Sequence, residues 1–230
     1  ADLCGASLGF VSEGANAAGA ALAGVLPHRD AGGAPSASEG LDASGMFKSP
    51  RRAYLLLGFE PEADTADAQT ACRALQSADH VVALTSFASD TMRDCCDVLL
   101  PIGTFAETPG TFVNIEGTWQ SFDAAMSPIG EARPAWRVMR VLGNLLELDG
   151  FEYETCAEVR AELQALIGEV RPQNRHVGEY RPPMRTAEPS YEGVMLGIYE
   201  IDPLVRRSDP LQQTALARGH DSAEPEARTA

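Results

Sequence analysis

The stretch AYLLLGFEPEADTADAQTACRALQSADHVVALTSFASDTMRDCCDVLLP, residues 53–101, decides the fold. Ala53 to Phe59 is a near-continuous apolar run, the pattern of a strand covered on both faces. Glu60-Pro61 breaks it. A helix is expected from about Thr65 to Ser77, started by Asp64 or Thr65, with Ala68, Ala71, Cys72 and Leu75 along one stripe. His80 to Ser86 reads as a second strand and Asp90 to Cys95 as a short helix. Asp97 to Leu100 then reads as a third strand, ended by Pro101. This order implies parallel strands joined by right-handed crossovers, an α/β class with a doubly wound, mostly parallel sheet. Ligands of such sheets sit beyond the carboxyl ends of the strands, here Gly58 to Pro61, Ser86 to Ser89 and Pro101 to Ala106.

On the N-terminal side, residues 1–26 are rich in Gly and Ala, and Ala15 to Val25 is expected to be a closely packing helix. A phosphate loop does not fit there, because neither Gly-Lys-Ser/Thr nor G-x-G-x-x-G is present. Residues 30–50 read as a loop crowded with Gly, Ser, Ala and Pro. On the C-terminal side, Pro134 to Leu148 carries a strong amphipathic pattern through Trp136, Val138, Met139, Leu142, Leu145 and Leu146. A second helix is expected from Thr155 to Gly168, opened by a Thr155/Glu158 capping box. Residues 1–170 are therefore expected to form one α/β domain. Residues 171–230, with frequent prolines and few apolar runs, are expected to wrap over a surface as an extended segment.

Composition removes several functions. The 230 residues carry 33 Asp plus Glu against 18 Lys plus Arg, a formal charge of −15. Nucleic-acid phosphates and anionic lipid heads would be repelled. With 44% hydrophobic residues the chain is globular, yet no apolar run approaches the ~20 residues that span a bilayer. Cysteines 4, 72, 95, 96 and 156 show no Cys-x-x-Cys, so free thiols are expected rather than a zinc site or a disulfide framework. His28, His80, His176 and His220 match no ligand spacing, and His28, Arg29, Arg206 and Arg207 are expected to stay solvated on loops. The opening Ala1-Asp2-Leu3, with no Met and no basic-then-apolar leader, is compatible with processing or with a start inside a longer protein.

The polar residues cluster in Glu107-Thr-Pro-Gly-Thr-Phe-Val-Asn-Ile-Glu-Gly-Thr-Trp-Gln-Ser-Phe122. Gly110 and Gly117 permit tight turns around two short strands, Thr111 to Ile115 and Thr118 to Phe122. Thr111, Asn114, Glu116 and Gln120 would then crowd one edge, suited either to pairing with a flat heterocycle or to satisfying the hairpin itself.

That run, preceded by the strand ending Asp97-Val-Leu-Leu-Pro101, resembles the pterin-cofactor loop of the molybdopterin oxidoreductase family. Gly130-Glu-Ala-Arg-Pro-Ala-Trp-Arg-Val-Met-Arg-Val-Leu-Gly-Asn144 is similar to the G-subunit family of bacterial NADH-quinone oxidoreductase, respiratory complex I. Glu13-Gly-Ala-Asn-Ala-Ala-Gly19 through Pro27-His28-Arg29, and Asp202-Pro-Leu-Val-Arg-Arg-Ser208, agree with it. The resemblance implies a piece from the C-terminal half of a peripheral-arm subunit that passes electrons from NADH to quinone. Its 2Fe-2S and 4Fe-4S clusters would lie in an N-terminal part, and a further domain would follow the C-terminal segment. It implies other peripheral-arm subunits as partners and a peripheral location on the cytoplasmic side of the bacterial inner membrane.

Thr111, Asn114, Glu116, Gly117 and Gln120 would be vestigial pterin-loop positions, with no catalytic, cofactor-binding or metal-ligating residue in this segment and no molybdopterin. Thr118 stands where catalytic relatives commonly carry Arg, which removes an anion partner. The alternative is part of a catalytic member of the formate dehydrogenase or nitrate reductase type.

Overall fold

The structure, a computed structural model, describes residues 14–169 and 199–217, together with Gly5, Gly9 and Gly197. At its centre lies a three-stranded parallel sheet in the order β1 (Ala53–Leu57), β2 (His80–Thr85), β3 (Val98–Pro101). Leu55 pairs with Val82 and Val82 with Val98, so the strands run in step. The crossovers are α3 (Ala68–Gln76) and α4 (Asp90–Cys95), and α2 (Ala43–Lys48) precedes β1. The α/β class and the parallel sheet are as the sequence implied.

Among the described residues the helices that follow the strands cover one face, and the other is covered only in part, at the fully buried Leu84. Phe47 of α2, Ala71, Ala74 and Leu75 of α3, and Met92 and Cys95 of α4 pack with Tyr54, Leu56, Val81 and Ala83 in a single cluster. Both crossovers step in the same direction along the sheet, so right-handed connections place both helices on the same face. The other face carries Leu55, Leu57 and Val98, which are 48%, 54% and 43% exposed. The expectation that residues 53–59 are covered on both faces is therefore corrected. A continuous apolar run reports hydrophobicity on both sides of a strand, whereas cover depends on where the helices go.

Local boundaries follow the caps. Asp67, not Asp64 or Thr65, starts α3: its carboxylate accepts the Thr70 N–H at 2.9 Å. Asp64 instead accepts the Glu60 N–H at 2.7 Å and shapes the turn after β1. Ser89 caps α4 by accepting the Met92 N–H at 3.2 Å. Asp97 belongs to the turn before β3, where its carboxylate accepts the Val81 N–H at 2.7 Å. Pro101 is the last residue of the strand rather than a residue beyond it.

Residues 30–50 are more than a loop. They contain α2, capped by Asp42 accepting from the Gly45 N–H at 2.6 Å, and a 3-10 turn at Ala31–Gly33.

Beyond β3 the chain forms an antiparallel hairpin of β4 (Gly110–Val113) and β5 (Trp119–Phe122). The N-terminal helix α1 is Ala17–Leu22, shorter at both ends than the expected 15–25. It lies against β4, whose outer edge is held by Asn16: Oδ1 accepts the Val113 N–H at 2.8 Å. The amphipathic segment forms α5 (Ala135–Leu145). The last long helix is α6 (Cys156–Ile167), with the expected Thr155/Glu158 capping box in place. Residues 171–196, 198 and 218–230 of the expected C-terminal segment lie outside the described residues. Within 199–217 the chain forms a 3-10 turn at Val205–Arg207 and a short helix α7 (Asp209–Gln212).

Candidate functional site

The carboxyl ends of β1 and β2, where the topology directs a ligand, are occupied by the chain itself. Gly58 leaves β1 at φ +58°, a conformation favouring glycine, and turns the chain so that Glu60 is buried at 3% exposure. Arg207 grips that carboxylate with both terminal nitrogens, Nη1 to Oε1 at 2.9 Å and Nη2 to Oε2 at 2.7 Å. Its guanidinium also lies 4.3 Å from the ring centroid of Phe87, just after β2. Arg206 donates to Asp64 at 2.6 Å and keeps Nη1 3.8 Å from Glu60. The expectation that Arg206 and Arg207 stay solvated is thus corrected. Two carboxylates at the end of β1 form a receptor that local sequence cannot reveal, because the partners are 147 residues apart. A paired fork of this kind is strongly directional.

The hairpin loop is likewise turned inward. Asn114 Oδ1 accepts the N–H groups of Glu116 at 3.0 Å and Thr118 at 2.9 Å, and the Asn114 carbonyl accepts the Gly117 N–H at 3.0 Å. Gly117 takes φ +80° to close this turn. Thr111 Oγ1 pairs with Ser121 Oγ at 2.9 Å across the strands. Glu116 and Gln120 are exposed and make no hydrogen bond through their side chains among the described residues. Of the five positions singled out in the loop, Asn114, Gly117 and Thr111 are engaged in the hairpin.

Glu107, at the head of the loop, is buried at 6% exposure. Its carboxylate accepts the Thr104 N–H at 2.8 Å, the Thr104 hydroxyl at 3.0 Å and the Ile129 N–H at 3.0 Å. The Thr104 backbone N–H is the largest cause holding this carboxyl below the usual glutamate value, and the Thr104 hydroxyl and Ile129 N–H add to it. Glu107 therefore ties the strand end to the segment before α5. It is a structural acid.

A cavity of about 430 Å³ separates the hairpin from the N-terminal segment, lined by Leu22, His28, Arg29, Gly33, Asn114 and Ile115 among others. The expectation that His28 and Arg29 stay on a solvated loop is refined by their place on the rim of this cavity, with Arg29 Nη1 donating to the Gly33 carbonyl at 3.3 Å. Asn16, which the sequence reading does not single out, fixes the hairpin against α1; its one sequence signal is an amide in an otherwise Gly/Ala-rich stretch. Among the described residues no group of three or more His, Cys, Asp or Glu could hold a metal ion, and no helix is long and apolar enough to cross a membrane.

Comparison with known proteins adds a family match. The family model described as molybdopterin oxidoreductase matches residues 5–145. The G subunit of NADH-quinone oxidoreductase from Mycobacterium bovis is 30% identical over 191 residues, covering 72% of this chain and 23% of its own length. The F420-dependent formate dehydrogenase subunit alpha of Methanocaldococcus jannaschii is 31% identical over 134 residues, 58% of this chain and 19% of its own. The NADH-ubiquinone oxidoreductase 78 kDa subunit of Candida albicans is 38% identical over 76 residues, 33% of this chain and 10% of its own. The chain thus spans less than a quarter of each of these three relatives.

Proposed function

The chain belongs to the molybdopterin oxidoreductase family, and from that premise we propose that it is a non-catalytic scaffold segment of a G-type subunit in an NADH:quinone oxidoreductase. In this reading residues 1–170 are part of the family's α/β domain and residues 171–230 lead on from it. The electrons travel through iron–sulfur clusters held elsewhere in the same polypeptide, and neighbouring peripheral-arm subunits are the partners. The assembly sits peripherally on the cytoplasmic side of a bacterial inner membrane.

The observation that carries the proposal is that the backbone N–H groups of the hairpin turn, and the carboxylates at the end of β1, are spent on the chain itself. The N–H groups of Glu116, Gly117 and Thr118 all donate to Asn114, so none is left to receive a phosphate oxygen. The charged side chain in that turn is the acid Glu116, and Thr118 supplies no cation. These residues do not fit the diphosphate of a pterin dinucleotide. Thr111, Asn114, Glu116, Gly117 and Gln120 are read as vestigial loop positions, and no catalytic step is assigned to them. The extent of similarity to the Mycobacterium bovis protein, 72% of the chain, supports the same reading.

The rival reading, a formate dehydrogenase-type enzyme, is favoured by the similarity to the Methanocaldococcus jannaschii protein. Elemental analysis of the intact protein purified from its source separates the two. Iron without stoichiometric molybdenum or tungsten is expected; one molybdenum or tungsten per polypeptide overturns the scaffold reading.

A further inference from the structure

Three thiols meet where the two crossover helices touch. Cys72 lies on α3, Cys95 is the last residue of α4, and Cys96 follows it. All three are free. Cys95 is 7% exposed and belongs to the core cluster, and the half-buried Cys72 and Cys96 pack against that same cluster. Cys72 is the hydrogen-bonding neighbour of the Cys95 thiol and also faces Cys96. The sulfurs form no metal cage, since among the described residues no group of His, Cys, Asp or Glu could hold an ion.

A single buried thiol packs as a small hydrophobe. Two neighbouring thiols can do more, because together they can give up two electrons and become a disulfide. Here the two members differ in access. Cys72 reaches the edge of the core, whereas Cys95 is closed off from solvent. Burial, and then the neighbouring Cys72, holds the Cys95 thiol protonated, so it is a poor first target for an oxidant. Asp94 lies beside Cys95, and Asp97 and Glu62 lie beside Cys96, which surrounds the cluster with acids. A small neutral oxidant passes that barrier. A bulky anionic disulfide such as oxidised glutathione is repelled and does not reach a half-buried sulfur.

We propose that Cys72 and Cys95 form a peroxide-sensitive modification site, with Cys72 the entry thiol and Cys95 the resolving thiol. The Cys72 thiolate attacks one oxygen of hydrogen peroxide and the O–O bond breaks. Cys72 becomes a sulfenic acid, and the departing hydroxide leaves as water with the proton the thiol had lost. The Cys95 sulfur then attacks the Cys72 sulfur. The S–O bond breaks, and the hydroxide leaves as a second water with the Cys95 proton. Two thiols are oxidised by two electrons, one peroxide is reduced, and a disulfide ties α3 to α4. The site does not depend on the scaffold reading: molybdenum in the protein would overturn that reading and leave the link untouched.

The test treats the intact protein with hydrogen peroxide, alkylates it in denaturant and digests it without reductant. Mass spectrometry should find one peptide pair, joined through Cys72 and Cys95. Oxidised glutathione at the same concentration should give at least about tenfold less of it. The linked protein should exchange the amides of α3 at least about tenfold more slowly than the reduced one. Cys72→Ser should leave Cys95 unoxidised, Cys95→Ser should leave a Cys72 sulfenic acid that dimedone traps, and Cys96→Ser should keep the link. A link that joins Cys96 instead overturns the proposal, as does peroxide treatment that yields no link. Oxidation of Cys95 in Cys72→Ser at the original rate also overturns it. Mapping the link in the unaltered protein decides the matter even where a serine variant fails to fold.

Discussion

Replacing Arg207 with Ala tests the assignment of the strand-end cleft to the chain's own C-terminal segment. The substitution removes two charge-assisted hydrogen bonds, at 2.9 and 2.7 Å, from a carboxylate that is 3% exposed. Removing one partner of a fully buried pair costs about 3–5 kcal/mol, chiefly because the other charge stays buried and unmatched. Two features reduce that figure. The Arg207 side chain is 33% exposed, and Arg206 Nη1, 3.8 Å from Glu60, retains part of the attraction. The lost stacking on Phe87 adds about 0.5–1 kcal/mol. A net loss of about 2–3 kcal/mol follows, enough to lower amide protection in residues 205–212 by roughly thirty- to a hundred-and-fiftyfold. Hydrogen exchange followed by mass spectrometry on the intact protein reads this directly. Arg207→Lys should recover less than half, because an ammonium cannot present the two-pronged fork. Protection in 205–212 that changes by less than about twofold in Arg207→Ala would refute the reasoning, since the segment would then be held by something other than Glu60.

Asn114→Ala should destabilise the hairpin by about 1–2 kcal/mol, seen as faster exchange at Glu116 and Thr118, because two N–H groups lose their acceptor. Asp67→Ala should cost about 1 kcal/mol in a denaturation midpoint through loss of the α3 cap. Burial first, and then the neighbouring Cys72, pushes the Cys95 thiol up to about 12. At pH 8 about one part in 10⁴ is thiolate, so iodoacetamide should leave Cys95 unlabelled in the native protein and label it in denaturant, as read by peptide mass spectrometry. Glu107 has a depressed folded-state pKa, so its contribution to stability is present above the ordinary glutamate value and is lost as pH falls through the folded value. Urea midpoints between about pH 3 and 6 should therefore fall toward acid, and Glu107→Gln should flatten that slope.

The sheet was legible in the sequence because its signals are local. The run from His80 and the segment from Asp90 to Cys95 each carry their own pattern, and Ser89 supplies a visible cap. Helix α2 was not, because Ala43-Ser-Gly has the composition of a loop; the one readable clue was Asp42 three residues before Gly45. In the hairpin, Gly110 and Gly117 announced tight turns. The sequence could not tell whether Asn114 would face a ligand or its own backbone, since both uses need the same amide. The Arg207–Glu60 pair lay beyond sequence reading for a different reason. A charged side chain looks solvated until the fold brings an opposite charge to it, and that charge lay at the other end of the described structure.

The uneven cover of the sheet bears on function as well as on fold. Parallel sheets are found almost only with both faces covered, because the strands are apolar on each side. Here Leu55, Leu57 and Val98 are half-exposed on the face away from α3 and α4, where Leu84 between them is buried, while α5 turns Val141 and Leu145 outward on a different part of the molecule. Exposed apolar area on two separate elements favours a segment that packs within a larger body, since an isolated domain of this size would be expected to bury both. In this chain the strand ends of β1 and β2 are closed by Arg207 on Glu60 and Phe87, and the apolar faces are the ones left open.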